Sequence, residues 1–161
     1  MTTYSKFAKL LLIAITAFAL NQTGYADATS EDEDTAGGSD WKEYVLSKLD
    51  EKLYEDAFTR LLDVETDNAD TSADWNNLMG YTMRMLDDPD LDSSEEHYIK
   101  AVELQADHKG ALEYYGELKL QQDDLEGAKK LLSRLEEVCA DGCEELDTLK
   151  KSVADYEAKN S

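Results

Sequence analysis

The most reactive side chains in this chain are two cysteines, Cys139 and Cys143, spaced C-x3-C. Three chemistries are open to such a pair: a disulfide closing a small loop, a soft dithiolate for Cu(I), or a redox-active dithiol. The turn Asp141-Gly142 between them can bring the sulfurs together, so a structural disulfide leads. Closing so short a loop stabilises by about 2 kcal/mol. No methionine or histidine stands beside the pair to complete a copper site, and a thioredoxin-like site wants C-x-x-C on a βαβ unit. A metal or redox role is therefore the alternative.

The other chemically able residues do not assemble in the sequence. His97 and His108 are the only histidines and have no metal-ligand spacing such as H-x3-H. His108 in ADHKG is expected to serve a turn, and His97 to lie on a solvated helix face. The acid pairs Glu95-Glu96, Glu136-Glu137 and Glu144-Glu145 are neighbours in sequence and cannot face one substrate together. DDPDLDSSEE lacks the central glycine of a calcium loop. No nucleophile elbow, phosphate loop or dinucleotide fingerprint occurs. The expectation is a protein that is not an enzyme and needs no metal or cofactor.

Charge narrows the partners. The 161 residues carry 37 Asp plus Glu against 16 Lys plus Arg, a formal net charge of -21. Nothing here could neutralise phosphates, so nucleic acid is excluded as the main ligand, and an anionic membrane surface for the same reason. A protein or peptide partner, basic in character, is what such a surface attracts.

What could position the few candidate residues is a helical chain behind an export address. Residues 1–26 read as a signal peptide: Lys6 and Lys9, then an apolar run of eleven residues from Leu10 to Leu20, then Gly24 and Ala26. That run falls short of the ~20 residues a membrane span needs, so no stable insertion is expected after cleavage. Cleavage after Ala26 or Ala28 would release the chain to the periplasm. Residues 27–40, DATSEDEDTAGGSD, hold no large apolar side chain and are expected to form a disordered acidic arm.

From Trp41 onward the apolar spacing is helical. Helices are predicted over 40–52, 53–65, 73–86, 93–105, 110–122, 124–139 and 143–159. TDNADTSA, DDPDLD, ADHKG, QDD and ADG form the breaks, and Ser93 or Ser94, Asp124 and Cys143 stand at helix starts. Self-comparison shows a period: Trp41 to Trp75, Ser94 to Ala128, Tyr98 to Leu132 and Ala101 to Leu135 are each 34 residues, and Gly80 to Gly116 is 36.

Helix pairs at this period, with small residues at Gly80, Ser94, Gly116 and Ala128 and a large one at Tyr98, resemble the tetratricopeptide repeat. Val45 fills the glycine slot of a degenerate first repeat, while Trp75 and Gly80 imply registers one residue apart. The resemblance implies an all-α fold, a short α-solenoid of about three helix-turn-helix pairs (41–72, 73–108, 109–142) with a capping helix at 143–159, together a domain over 41–159. WNNLMGYTMR, DHKGALEYYGELKLQ and CADGCEE further resemble exported tetratricopeptide proteins of proteobacteria, a family without an assigned activity. It implies an adaptor or assembly factor at the cell envelope that binds a protein or peptide. In such arrays the first helix of each pair lines a concave groove. With Gly80 and Gly116 as anchors, the groove residues are Asn77, Tyr81, Arg84, Glu113, Glu117 and Gln121, whose carboxylates favour a basic peptide.

Overall fold

The computed structural model describes residues 40–160. The expected signal peptide at 1–26 and nearly all of the acidic arm lie outside the described residues. Asp40, which the expected arm and the first predicted helix shared, is the first residue of that helix.

All regular structure among the described residues is helical: α1 (Asp40–Asp50), α2 (Tyr54–Asp63), α3 (Glu65–Asn68), α4 (Ala73–Met85), α5 (Leu91–Leu104), α6 (Lys109–Gln121), α7 (Leu125–Val138) and α8 (Glu144–Lys159). None is long and apolar enough to cross a membrane. Short turns fold α1 on α2, α4 on α5 and α6 on α7, giving three hairpins that stack in order under the cap α8. The first helices α1, α4, α6 and α8 each touch the next in their row, while the second helices make no comparable contact with one another. The row of first helices is therefore the inner, concave one.

Helix starts follow side-chain capping. Ser72, Asp90 and Asp124 accept the backbone N–H three residues on, and His108 does so through Nδ1. Asp90 displaces the expected Ser93 or Ser94, because Pro89 has already set the chain for a turn and the carboxylate is the better cap. Ser94 turns inward instead, its Oγ donating to the Gly80 carbonyl. The break TDNADTSA is also shorter than expected, since Glu65–Asn68 forms the single turn α3.

Close approach settles the register of the second hairpin. A Cβ at Gly80 would stand 3.0 Å from the Ser94 carbonyl oxygen and 3.1 Å from the Tyr98 ring. Gly80 thus holds the small slot, and Trp75 is not a repeat of Trp41. Trp75 is fully buried against the first hairpin with Trp41, Val45, Ala57 and Leu61, its indole N–H donating to the Leu61 carbonyl at 3.0 Å. Gly116 makes room for the cap: a Cβ there would lie 2.7 Å from the Leu149 side chain of α8.

Burying Trp75 draws two polar neighbours in with it. Asn76 donates to the carbonyls of Ala69 and Ser72 at 2.7 and 2.9 Å, and its Oδ1 meets His97 Nδ1 at 3.1 Å. His97 is therefore half-buried, edge-on to the Trp75 ring with centroids 5.4 Å apart, not on a solvated face. Burial holds its imidazole below the ordinary range.

Cys139 closes α7 and Cys143 precedes α8, with Cα atoms 5.7 Å apart and sulfurs at disulfide distance. Gly142 takes a φ of +87°, a left-handed turn that a side chain would strain. Replacing both cysteines by serine should cost about 2 kcal/mol in urea denaturation while leaving helicity unchanged. A loss near zero would show that packing of Leu146, Leu149 and Val153 alone holds the cap.

Candidate peptide groove

The helical period places Asn77, Tyr81 and Arg84 on one face of α4, and Glu113 and Glu117 on one face of α6. Both faces belong to the concave row. The structure brings four of the six expected residues into mutual contact or charge interaction: Tyr81, Arg84, Glu113 and Glu117.

Arg84 organises them. It is 8% exposed and donates to Glu117 Oε2 at 2.9 Å, while its guanidinium lies 5.5 Å from the Tyr81 ring centroid. Glu117 Oε1 accepts from Ser152 on α8 at 3.2 Å, so one carboxylate ties three first-row helices together. The Tyr81 ring packs on Tyr114 with centroids 4.7 Å apart. Beneath them Tyr98 is fully buried, and burial pushes its hydroxyl well above the ordinary range. Arg84 lies beside that hydroxyl, but neither its Nε nor the Tyr98 oxygen completes a well-formed hydrogen bond within the protein.

Glu113 is the exception in the set. It is 8% exposed and makes no hydrogen bond or ion pair among the described residues. Burial, then Glu117, Glu145 and Glu144, push its carboxyl up to about 7, against a partial offset from Arg84. Its folded-state pKa thus lies above the unfolded value of 4.5. The stability it contributes is intact below that value and is lost as pH rises through about 7. Glu113→Gln, which mimics the protonated form, should therefore stabilise the protein at pH ~8 by about 1–2 kcal/mol, a figure discounted for partial solvation. The gain should vanish near pH ~4, where wild type is itself protonated. Parallel melts of the two proteins across pH check this, and a gain independent of pH would contradict it.

Asn77 is 5% exposed, and its buried Oδ1 has no hydrogen-bond partner. The amide reaches across to α6, where a Cβ on Gly110 would stand 3.3 Å from Nδ2. Gly110 borders an open cleft lined also by Asp74, His108, Lys109 and Glu145. Gln121 does not join the group: it is exposed in the last turn of α6, and the residue 36 positions after Arg84 is the buried Leu120.

A second polar tie lies at the N-terminal ends of α4 and α6. Asp74 accepts from Lys42 of α1 at 2.6 Å and meets His108 Nε2 at 3.1 Å, so one carboxylate joins α1, α4 and the start of α6. Burial opposes its ionisation, and the hydrogen bonds from Lys42 and His108 outweigh that, holding the carboxyl below the usual range.

Sequence reasoning missed Ser152, Tyr114 and Asp74. Ser152 carried a readable signal, being a small residue 36 beyond Gly116. The other two had none, because their roles depend on which neighbour faces them. Among the described residues no group of His, Cys, Asp and Glu is disposed to hold a metal. With their sulfurs at bonding distance, Cys139 and Cys143 present no thiolate to Cu(I).

No protein-family model matches the chain, and no curated protein matches it. Solved structures do. The Yersinia enterocolitica type III secretion chaperone SycD, in complex with a peptide of the translocator YopD, is 16% identical with a TM-score of 0.62; the match covers 76% of this chain and 93% of SycD. The first TPR domain of human RPAP3 is 18% identical with a TM-score of 0.59, covering 73% and 93%. PcrH, in complex with the chaperone binding region of PopD, is 14% identical with a TM-score of 0.60, covering 74% and 87%. At these identities the likeness establishes the fold: an all-α, tetratricopeptide-type helical solenoid.

Proposed function

We propose that this protein binds a segment of another protein along the concave row of α1, α4, α6 and α8, as a non-catalytic adaptor or assembly factor. The observation that carries this reading is the row itself: Asn77 and Glu113 hold unpartnered acceptors, and Tyr81 and Tyr114 add half-buried rings beside them. Such a surface has hydrogen-bonding capacity that the fold does not use. SycD and PcrH, of the same fold, were solved with a peptide or binding region of their translocators. The carboxylates of Asp74, Glu113, Glu117, Glu144 and Glu145 around the row favour a basic segment. Export to the periplasm rests on Lys6, Lys9 and the apolar run Leu10 to Leu20.

The test is selection of a displayed random-peptide library on the purified protein, with enriched sequences remade synthetically and titrated by calorimetry. Basic peptides that bind wild type and lose affinity with Tyr81→Ala would support the groove. Enrichment of acidic peptides, or binding indifferent to Tyr81→Ala, would sink it. Export is tested separately by fractionation and N-terminal sequencing, with Asp27 or Thr29 expected as the first residue.

A further inference from the structure

Asn77 and Glu113 occupy equivalent places in successive repeats, each three residues before the glycine of its helix, Gly80 and Gly116. They are therefore adjacent rungs of one face. Each is more than nine-tenths buried, at 5% and 8% exposure. Each also presents an acceptor without a hydrogen-bond partner in the protein: the Asn77 Oδ1, which is buried, and the Glu113 carboxylate, which keeps some contact with solvent. The Asn77 amide abuts Gly110, which borders the cleft that Asp74, His108, Lys109 and Glu145 line, and Glu113 lies one turn from Gly110 on α6.

Arg84 is the internal cation that could have served Glu113, and Glu117 already holds it at 2.9 Å. A buried amide oxygen without a donor and a carboxylate largely removed from water are both costly, and a group that brings several donors and a positive charge relieves both at once. At pH ~8 the side chains that do so are the lysine ammonium and the arginine guanidinium. A guanidinium can place two N–H groups on a carboxylate and still hold one for an amide oxygen.

We propose that Asn77 and Glu113 form one subsite of the concave row and that it takes a single cationic side chain of the bound segment. This rests on the peptide-binding reading and deepens it by naming the residue type that the groove selects. Glu113 is faced by Glu117 on its own helix, by Glu144 and Glu145 on α8, and by Arg84 on α4, while Lys109 and His108 border the cleft. On the opposite side α5 meets α6 through Glu95 and Lys119, which satisfy each other. Burial, and then the three flanking carboxylates, hold the Glu113 proton, so occupancy by a cation should rise with pH through neutrality.

The experiment titrates N-acetyl-arginine amide and N-acetyl-lysine amide into the isotope-labelled full protein by NMR, with the uncharged norleucine amide as control. Saturable shifts of the Asn77 side-chain amide and of the residue 113 signals are expected with at least one cation at pH ~8. They should weaken about tenfold in Glu113→Gln, the loss of a charge-assisted hydrogen bond. Asn77→Ala gives a second, independent reduction. Each variant is first shown to be folded by its amide spectrum. Shifts equal to those of the norleucine control, or unchanged by Glu113→Gln, would overturn the subsite. If selected peptides bind but ignore Glu113→Gln, the subsite fails alone. If the arginine amide binds and no peptide does, the wider groove reading fails instead.

Discussion

Trp75→Ala should lower the unfolding free energy by about 4 kcal/mol, the cost of removing a fully buried tryptophan, and the melting temperature by about 15 °C. The indole does two jobs that alanine cannot. It fills the space between the first two hairpins, in one cluster with Trp41, Val45, Ala57, Leu61, Leu78 and Met79. It also donates to the Leu61 carbonyl, which would keep only the longer bond from the Val64 N–H at 3.3 Å. In a stack where each hairpin touches only its neighbours, such an interface residue couples the repeats. The melt of the variant should therefore broaden as well as shift, with α1 and α2 losing structure first. A loss below about 1 kcal/mol would mean that the first hairpin docks through Trp41 and Val45 without Trp75.

How much of this was legible in the sequence depends on which residue is asked. Helix positions followed from apolar spacing, and Asp124 announced itself as a cap because an acid sits just before a periodic stripe. The small slots at Gly80 and Gly116 gave the stacking, since only close helix approach needs them. The 34-residue distance from Trp41 to Trp75 misled, because both are large and apolar and sequence does not say toward which hairpin a ring points. His97 misled for a related reason: its neighbours Glu95 and Glu96 suggest solvent, yet Trp75 and Asn76 from another helix cover it. Within the groove, the positions on α4 and α6 were readable from the glycine anchors, but their states were not. Whether a carboxylate is paired depends on where a single arginine goes, and that is decided across helices.

The same charges shape the cap. Leu149 fills the space over Gly116, and Ser152 reaches Glu117. Glu144 and Glu145 meanwhile face Glu113 and raise its proton affinity. The helix α8 thus closes the apolar stack while adding charge to the open one. Glu144 and Glu145 stand in the first turn of α8, where the positive helix end favours acids, and that placement also sets them near Glu113. The repulsion costs stability at pH values where Glu113 is ionised.

Arg84→Ala should cost about 3 kcal/mol at pH ~8, toward the low end for breaking a buried ion pair because Glu117 keeps partial solvent contact. Its loss leaves Glu113 and Glu117 one turn apart on α6 with no internal cation, opposite Glu144 and Glu145. Since Arg84 lowers the Glu113 pKa, removing it raises that pKa further, and protonation then relieves more of the strain. The penalty should accordingly shrink as pH falls to ~5. It should also be partly recovered, by about 1 kcal/mol, when Glu113→Gln is added to the variant. Urea denaturation of the two single variants and the double, at both pH values, measures the coupling directly. A loss identical at both pH values, with no recovery in the double variant, would assign Arg84 a packing role through its stem over Tyr81 and Tyr98. Either way Arg84 is held by the fold, so binding experiments should perturb Tyr81 and Glu113, and a peptide that lost affinity with Arg84→Ala would report first on a disturbed groove.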